Sequence, residues 1–363
     1  MKLVPAGIKI KLIKRIDPLI GVPLTRLLPT PINSPDSQVR SILVIRPGGI
    51  GDALLLAPAL SALKTKYEEA SITILAERRN AGAFALVPYV DRVLLYDSYV
   101  DFIELLFSRY DLIIDTEQWH RMSAIIARLI PSATKIGFDT NERRRLFTHA
   151  VPYSQNEYEA QSFLNLLKPL GINKTFANRA VFLINPDTAL LQSEPLLNML
   201  EAPYIALFPG ASVNERRWGV HKFSELVKLL ARQGINTVII GGEEDQLAAE
   251  AIVSSASGLN MAGKTSIAGT AAIIAGSKLL VSSDSGVLHI GAGLAVPTVS
   301  LFGAGIAQKW APQGEIHTVL NRNLVCSPCT LFGTTPVCPD KLRCLEEIEV
   351  ETVFSAVIAL LDR

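Results

Sequence analysis

Asp52 ends a glycine-rich turn, Arg-Pro-Gly-Gly-Ile-Gly-Asp over residues 46–52, that follows a run of β-formers from Ile42 to Ile45. A strand, a glycine loop and then a helical pattern usually receive a phosphate at the helix N-terminus. A carboxylate at that place suits different chemistry, in which it takes the proton from a hydroxyl as that hydroxyl attacks. Gly49 and Gly51 leave room for a substrate to approach the backbone. The bland alternative is that Asp52 caps the helix expected over 53–66. Position 54 is leucine, where a dinucleotide fold needs its third glycine, and no Gly-Lys-Ser/Thr follows. A nicotinamide site and a P-loop are both excluded here.

Groups suited to an anion lie further along. In "YIALFPGASVNERRW", residues 204–218, a strand enters small residues, then Ser212 with its hydroxyl, then Arg216 and Arg217. Small residues expose backbone N–H groups, and guanidinium forks bind phosphate bidentately. This reads as a diphosphate clamp or as a surface loop with two solvated arginines. In "SSDSGVLHIGAG" a strand stops at Ser283-Asp284, Ser285 and Gly286 open a helix, and His289 follows one turn in. Free N–H groups at a helix start again suit a phosphate. "VIIGGEEDQ" places Glu243 and Glu244 after two glycines at a strand end. Acidic residues there accept hydrogen bonds from a ribose, or simply favour a helix N-terminus. Arg143, Arg144 and Arg145 in "GFDTNERRRLF" offer charge to an acidic acceptor or form a solvated loop. Cys326, Cys329, Cys338 and Cys344 fall together near the C-terminus. They are free thiols of a reducing compartment or a four-thiolate structural metal site. The five residues between the last two depart from a second C-x-x-C.

These groups need elements to hold them. Strand-like runs at 41–46, 71–76, 91–96, 110–115 and 134–138 alternate with helical patterns such as 53–66 and 119–130. Residues 139–203 are less regular, with a helix expected at 158–170 and a polar, proline-containing stretch from 185. A second set follows, with strands at 204–209, 236–241, 278–283 and 296–302 and helices at 220–233, 244–256 and 285–294. Such alternation predicts parallel sheets covered by helices, with ligands at the carboxyl ends of the strands. Two sets predict two doubly wound α/β domains, an N-terminal one over 41–190 and a C-terminal one over 191–349, with a final helix at about 350–363.

The 363 residues suit two domains. A net charge of +1 argues against nucleic acid as a partner. The charge is concentrated in a leader, residues 1–40, with seven basic and two acidic groups. There Ile8, Leu12, Ile16 and Ile20 recur at helical spacing among lysines, while Pro18 and Pro23 interrupt. This stretch either lies in a membrane interface or docks on its own domain. No membrane span and no cleavable signal is legible, which predicts a cytoplasmic protein, peripheral on the inner membrane face if the leader binds lipid.

The motifs "RPGGIGDALLLAPALSAL", "FPGAS…RRW", "GGEEDQ", "AGKTSI", "SSDSGVLHIGAGLAVPTVSLFG" and "CSPC…CPDKLRCL" occur in one order, from about residue 41 to the C-terminus. In that order they resemble glycosyltransferase family 9, the ADP-heptose:lipopolysaccharide heptosyltransferases. The resemblance implies a GT-B fold, two Rossmann-like domains facing a cleft, with the final helix often crossing back to the first domain. It implies inverting, metal-independent transfer of a heptose from a nucleotide-sugar donor to an anionic glycolipid acceptor, without a cofactor. It maps the catalytic base to Asp52 and acceptor-side groups to the first domain. It maps the diphosphate contacts to Ser212, Arg216, Asp284, Ser285, Gly286 and His289, and the nucleoside contacts to Glu244, or else Glu243, with Thr265 of "AGKTSI". Arg216 stands where the family commonly has lysine, which keeps the charge and alters its geometry. Rival readings are a GT-B transferase or epimerase using another nucleotide sugar, and a non-catalytic nucleotide-sugar-binding protein.

Overall fold

The structure, a computed structural model, describes residues 17–31, 38–177, 181–184, 203–255 and 258–363. The chain divides into two compact units. The first holds the described residues up to Phe84, then Tyr89–Gln155 and Ala160–Phe176; the second holds Ala85–Pro88, Asn156–Glu159 and the described residues from Ala177 onward. The change of unit therefore falls near 176, earlier than the 190 expected from the sequence. Leader residues 1–16 and 32–37, and 185–202 of the proline-containing stretch, lie outside the described residues.

The first unit runs α1 (Val22–Leu27), β1 (Ser41–Arg46), α2 (Ile50–Leu55), α3 (Ala57–Lys66), β2 (Ser71–Ala76), α4 (Arg78–Ala81), β3 (Arg92–Leu95), α5 (Tyr99–Phe107), β4 (Leu112–Asp115), α6 (Arg121–Leu129), β5 (Thr134–Phe138), β6 (His149–Val151) and α7 (Glu159–Asn165). Its six strands are parallel in the order β3-β2-β1-β4-β5-β6. The central strands are buried on both faces, which is why they read as unbroken apolar runs. One helix was expected over 53–66; two form, because Pro58 has no N–H to give to the carbonyl of Leu54.

Residues 17–31 of the leader belong to this unit. The Asp17 carboxylate is buried and accepts the backbone N–H groups of Arg121 and Met122, 2.7 and 3.1 Å away, satisfying the open start of α6. It also pairs with the Arg121 guanidinium at 3.1 Å. This part of the leader is docked on its own domain.

The second unit runs β7 (Tyr204–Phe208), α8 (Val220–Arg232), β8 (Asn236–Ile239), α9 (Gln246–Ser255), β9 (Leu259–Asn260), α10 (Ile267–Gly276), β10 (Leu280–Ser283), α11 (Gly286–Gly293), β11 (Thr298–Phe302), α12 (Ala307–Trp310), β12 (His317–Asn321), α13 (Arg343–Glu346) and α14 (Val350–Leu361). Its sheet repeats the pattern, β12-β11-β10-β7-β8-β9 and all parallel. The final helix is part of this unit. Its Val353, Val357 and Leu360 join Phe223, Leu226, Val227 and Leu230 of α8 in one buried cluster. Trp218, fully buried in that cluster, donates its indole N–H to Ile348 at 2.9 Å. The short outer strands β6, β9 and β12 were not legible in the sequence, since partial burial gives them no apolar run.

Candidate active site

Strand order reverses between β1 and β4 in the first sheet and between β10 and β7 in the second. Ligands of open α/β sheets bind outside the carboxyl ends of the strands at such a switch point. Both clusters of candidate residues fall there.

In the first unit, β1 pairs with β4 so that Ile45 lies opposite Asp115. The residues at the ends of the two strands are therefore neighbours: Arg46, the last residue of one, and Thr116, Glu117 and Gln118, which follow the other. Arg46 is buried and its fork is committed to the protein. Nε donates to the Pro47 carbonyl at 2.7 Å and Nη1 to the Thr116 carbonyl at 2.8 Å. Nη2 reaches the Glu117 carboxylate at 3.4 Å and the Gln118 side-chain oxygen at 3.5 Å. Asp52 lies 3.8 Å from the same nitrogen. Gly48, at φ +115°, is needed twice over, because an added Cβ would also press on that guanidinium.

Asp52 is the third residue of α2, whose cap position is Gly49, so it does not cap the helix. Its side chain is 24% exposed, and Arg46 is its ion-pair partner among the described residues. The carboxylate is thus anchored on one side and open on the other. Gly49 adjoins open space on the side a Cβ would occupy, as a close approach of substrate requires. Behind it, Glu117 accepts the N–H groups of Trp119 and His120 at the start of α6. Burial pushes its carboxyl up, but Arg46, His120 and Arg143 outweigh this and hold it below the ordinary glutamate range. Arg46 and Glu117 are the residues that sequence reasoning missed. Their signal was an arginine at one strand end and an Asp-Thr-Glu at another, which only the pairing of the two strands brings together.

The triple arginine does not act as one patch. Arg143 is fully buried, paired with Asp115 at 2.6 Å and donating to the Glu117 carbonyl. Its complete burial keeps it from an acceptor, although its Nε, like that of Arg216, has no hydrogen-bond partner among the described residues. Arg144 and Arg145 are exposed, and Arg144 stands 3.5 Å from Asp139.

In the second unit, Arg216 and the Asp284–His289 segment come together as the sequence suggested. Arg216 Nη1 is 3.1 Å from Asp284 Oδ2, and Nη2 donates to Thr330 Oγ1 at 3.4 Å. Its Nε is buried without a hydrogen-bond partner among the described residues, as is Nδ1 of His289. Burial and the neighbouring Arg216 push the His289 imidazole down to about 4, so it is neutral near pH 7. Asp284 sits so close to Gly305 that a Cβ there would collide with its carboxylate. Ser285 caps α11, accepting the N–H of Leu288 at 3.4 Å, and its hydroxyl lies 2.9 Å from that of Ser282. Ser212 is exposed on the loop after β7. Arg217 is engaged locally, donating Nε and Nη2 to the Ala211 carbonyl at 3.2 and 3.0 Å.

The third loop set lies beside these. Glu243 and Glu244 are exposed on a 3-10 turn, while Asp245 is buried and accepts the Gly242 N–H at 3.1 Å. Asp245 packs against Gly210 and Gly241, pinning the loops after β7 and β8 to each other. Gly263 donates to the Gly241 carbonyl at 2.9 Å, which brings in the loop bearing Thr265. The Thr265 hydroxyl lies 2.9 Å from that of Thr270.

The four thiols are free, with Cys326 exposed and Cys344 buried. Among the described residues no group of three or more His, Cys, Asp or Glu side chains is placed to hold a metal ion. Cys344 sits on α13 against Gly303, while Cys329 donates its N–H to Ala304 at 3.1 Å. Burial, and then the nearby Cys338, Cys326 and Cys329, push the Cys344 thiol up, so the four lie within electrostatic reach of one another as free thiols, the first of the two readings. Cys326 lies on a surface turn and Cys344 in the core.

Two parallel six-stranded units of this order, each with chemistry at its switch point, define a GT-B glycosyltransferase fold. The family model of glycosyltransferase family 9 (heptosyltransferase) matches residues 102–335, more than half of the chain, and the chain belongs to that family. It is accordingly a glycosyltransferase. It is 28% identical over 287 residues to lipopolysaccharide heptosyltransferase 3 of Escherichia coli, covering 72% of this chain and 83% of that one. The solved structure of E. coli ADP-heptose lps heptosyltransferase II shares the fold, with a TM-score of 0.72 at 22% identity over 88% of this chain and 98% of that one. A family 9 glycosyl transferase from Veillonella parvula does so with a TM-score of 0.73 at 19% identity, over 90% and 99%.

Proposed function

We propose that the chain transfers a heptose from ADP-heptose to a lipopolysaccharide-core or related anionic glycolipid acceptor, with inversion at the anomeric carbon. The observation that carries this is the unlike chemistry of the two switch points. One presents a part-exposed carboxylate, Asp52; the other presents Arg216, with an unpartnered buried Nε, and the unpartnered Nδ1 of His289. Asp52 takes the proton of the acceptor hydroxyl as its oxygen bonds to the anomeric carbon. The bond from that carbon to the diphosphate breaks in the same step, and its electron pair leaves on the diphosphate oxygen. Arg216 and the open N–H groups at the start of α11 receive that charge. Glu243, Glu244 and Thr265 are assigned to the nucleoside, and Arg144 and Arg145 to the acidic acceptor. The names of the relatives, a lipopolysaccharide heptosyltransferase and an ADP-heptose enzyme, support heptose, ADP and a lipopolysaccharide acceptor.

The test is titration with ADP, UDP and GDP, followed by turnover with ADP-heptose and an extracted core glycolipid, with the anomeric configuration of the product read by NMR. Tight binding of ADP alone and an inverted product support the reading. Selective binding of UDP, or a retained configuration, overturns it.

A further inference from the structure

Helix α5 carries an apolar face that the protein leaves exposed. Leu105 enters the core and Phe102 packs beside it, while Tyr99, Val100, Ile103 and Phe107 stand 90, 75, 56 and 89% exposed. A surface helix ordinarily carries charge on that side. This one has two charged residues, and both are engaged elsewhere. Asp101 accepts the N–H of Leu95 at 2.7 Å, and Glu104 forms a two-pronged pair with Arg92. The leader adds to the same side of the sheet. Leu28 packs over the same core cluster as Phe102, and Leu19, Ile20, Leu24 and Leu27 before it are exposed. Leu129, at the end of α6 in that layer, is exposed as well.

The acids beside this face are paired, Glu104 with Arg92 and Asp97 with Arg78, which leaves its balance positive. Arg26 and Arg109 are exposed next to the apolar residues. Residues 1–16, which lead directly into Leu19 and Ile20, contain five basic and no acidic residues. An exposed apolar face with a positive balance of charge complements an anionic lipid surface.

We propose that α5 and the leader helix form a docking face for an anionic lipid bilayer. The aromatic and aliphatic side chains enter the boundary between headgroups and acyl chains, and the basic residues meet the lipid phosphates. The proposal rests on the reading of a lipid-linked acceptor, but it is tested on lipid alone. The full chain is floated with vesicles of phosphatidylethanolamine and phosphatidylglycerol that contain no glycolipid, with phosphatidylcholine vesicles as the comparison. The Tyr99→Ser, Val100→Ser, Phe107→Ser triple variant alters exposed side chains only. It should lower the partition into anionic vesicles by about tenfold or more, with ADP affinity and melting temperature unchanged. Binding of the unaltered chain should weaken with added salt and be weaker on phosphatidylcholine.

Failure of the unaltered chain to float with anionic vesicles overturns the proposal, as does a triple variant that floats equally well. So does an unaltered chain that is dimeric without lipid and a triple variant that is monomeric, since the face then joins two copies. Failure of the transfer reading would appear separately, in the nucleotide titration.

Discussion

The two switch points each carry an arginine, Arg46 at the end of β1 and Arg216 in the loop after β7, and the difference lies in what each arginine is bonded to. In the first unit Arg46 gives its N–H groups to the Pro47 and Thr116 carbonyls and to Glu117. Little of its charge is left for a ligand, and Asp52 defines the open surface. In the second unit Arg216 has Asp284 and Thr330 but keeps a buried Nε unpartnered, beside a neutral His289. A buried donor or acceptor without a partner costs about 1–3 kcal/mol, a cost that a bound anion can offset. On the proposed reading, the same topology serves a proton acceptor in one unit and a phosphate in the other.

The contrast between the units is removed most directly at Asp52. Asp52→Asn should leave ADP affinity unchanged and lower turnover by about 10²–10⁴-fold, the weight of a general base. Turnover equal to the unaltered chain would remove the base assignment, and lost ADP affinity would reverse the roles of the two units. Arg143→Leu tests whether the first arginine of the triple is structural. Breaking its buried pair with Asp115 should cost about 3–5 kcal/mol, read by urea unfolding, with the residual activity of folded protein intact. A variant as stable as the parent would return Arg143 to the candidate acceptor contacts.

Arg216→Ala should weaken ADP by about 1.5–3 kcal/mol, the value of a hydrogen bond to a charged group, measured by calorimetry. An unchanged affinity would mean that the open Nε has no ligand. His289 supplies a pH test. Its folded value of about 4 lies below the ordinary 6.5, so between those values the unfolded chain binds more protons than the folded one. Its contribution is present above about pH 6.5 and is lost as the pH falls toward 4. His289→Gln should flatten that part of the stability profile, measured by unfolding at several pH values. The smallest effect is expected from Arg145→Ala, an exposed side chain whose loss should change stability by no more than about 0.5 kcal/mol while reducing affinity for an anionic acceptor.

The sequence by itself determined the class of fold and which turns at the strand ends carry the candidate residues. Apolar runs such as Ser41–Arg46 and Tyr204–Phe208 mark strands buried on both faces, and the glycine and serine turns after them mark the ligand ends. Asp52, Arg216 and His289 stood out because turn chemistry is local: a few adjacent residues set the backbone and present the side chain. What each charge does was decided only in three dimensions. Arg143, Arg144 and Arg145 are equal in sequence, yet the neighbour of Arg143 is Asp115, 28 residues away, and it is buried with it. Glu244 drew attention through its spacing, whereas Asp245 is the residue turned inward, against glycines of two loops. The pairing of Arg46 with Glu117 follows from the register of β1 on β4, and Asp17 closes a helix start 104 residues away. Such contacts join residues that no local pattern relates. Burial then determines whether a charge is held by the protein or left for a ligand.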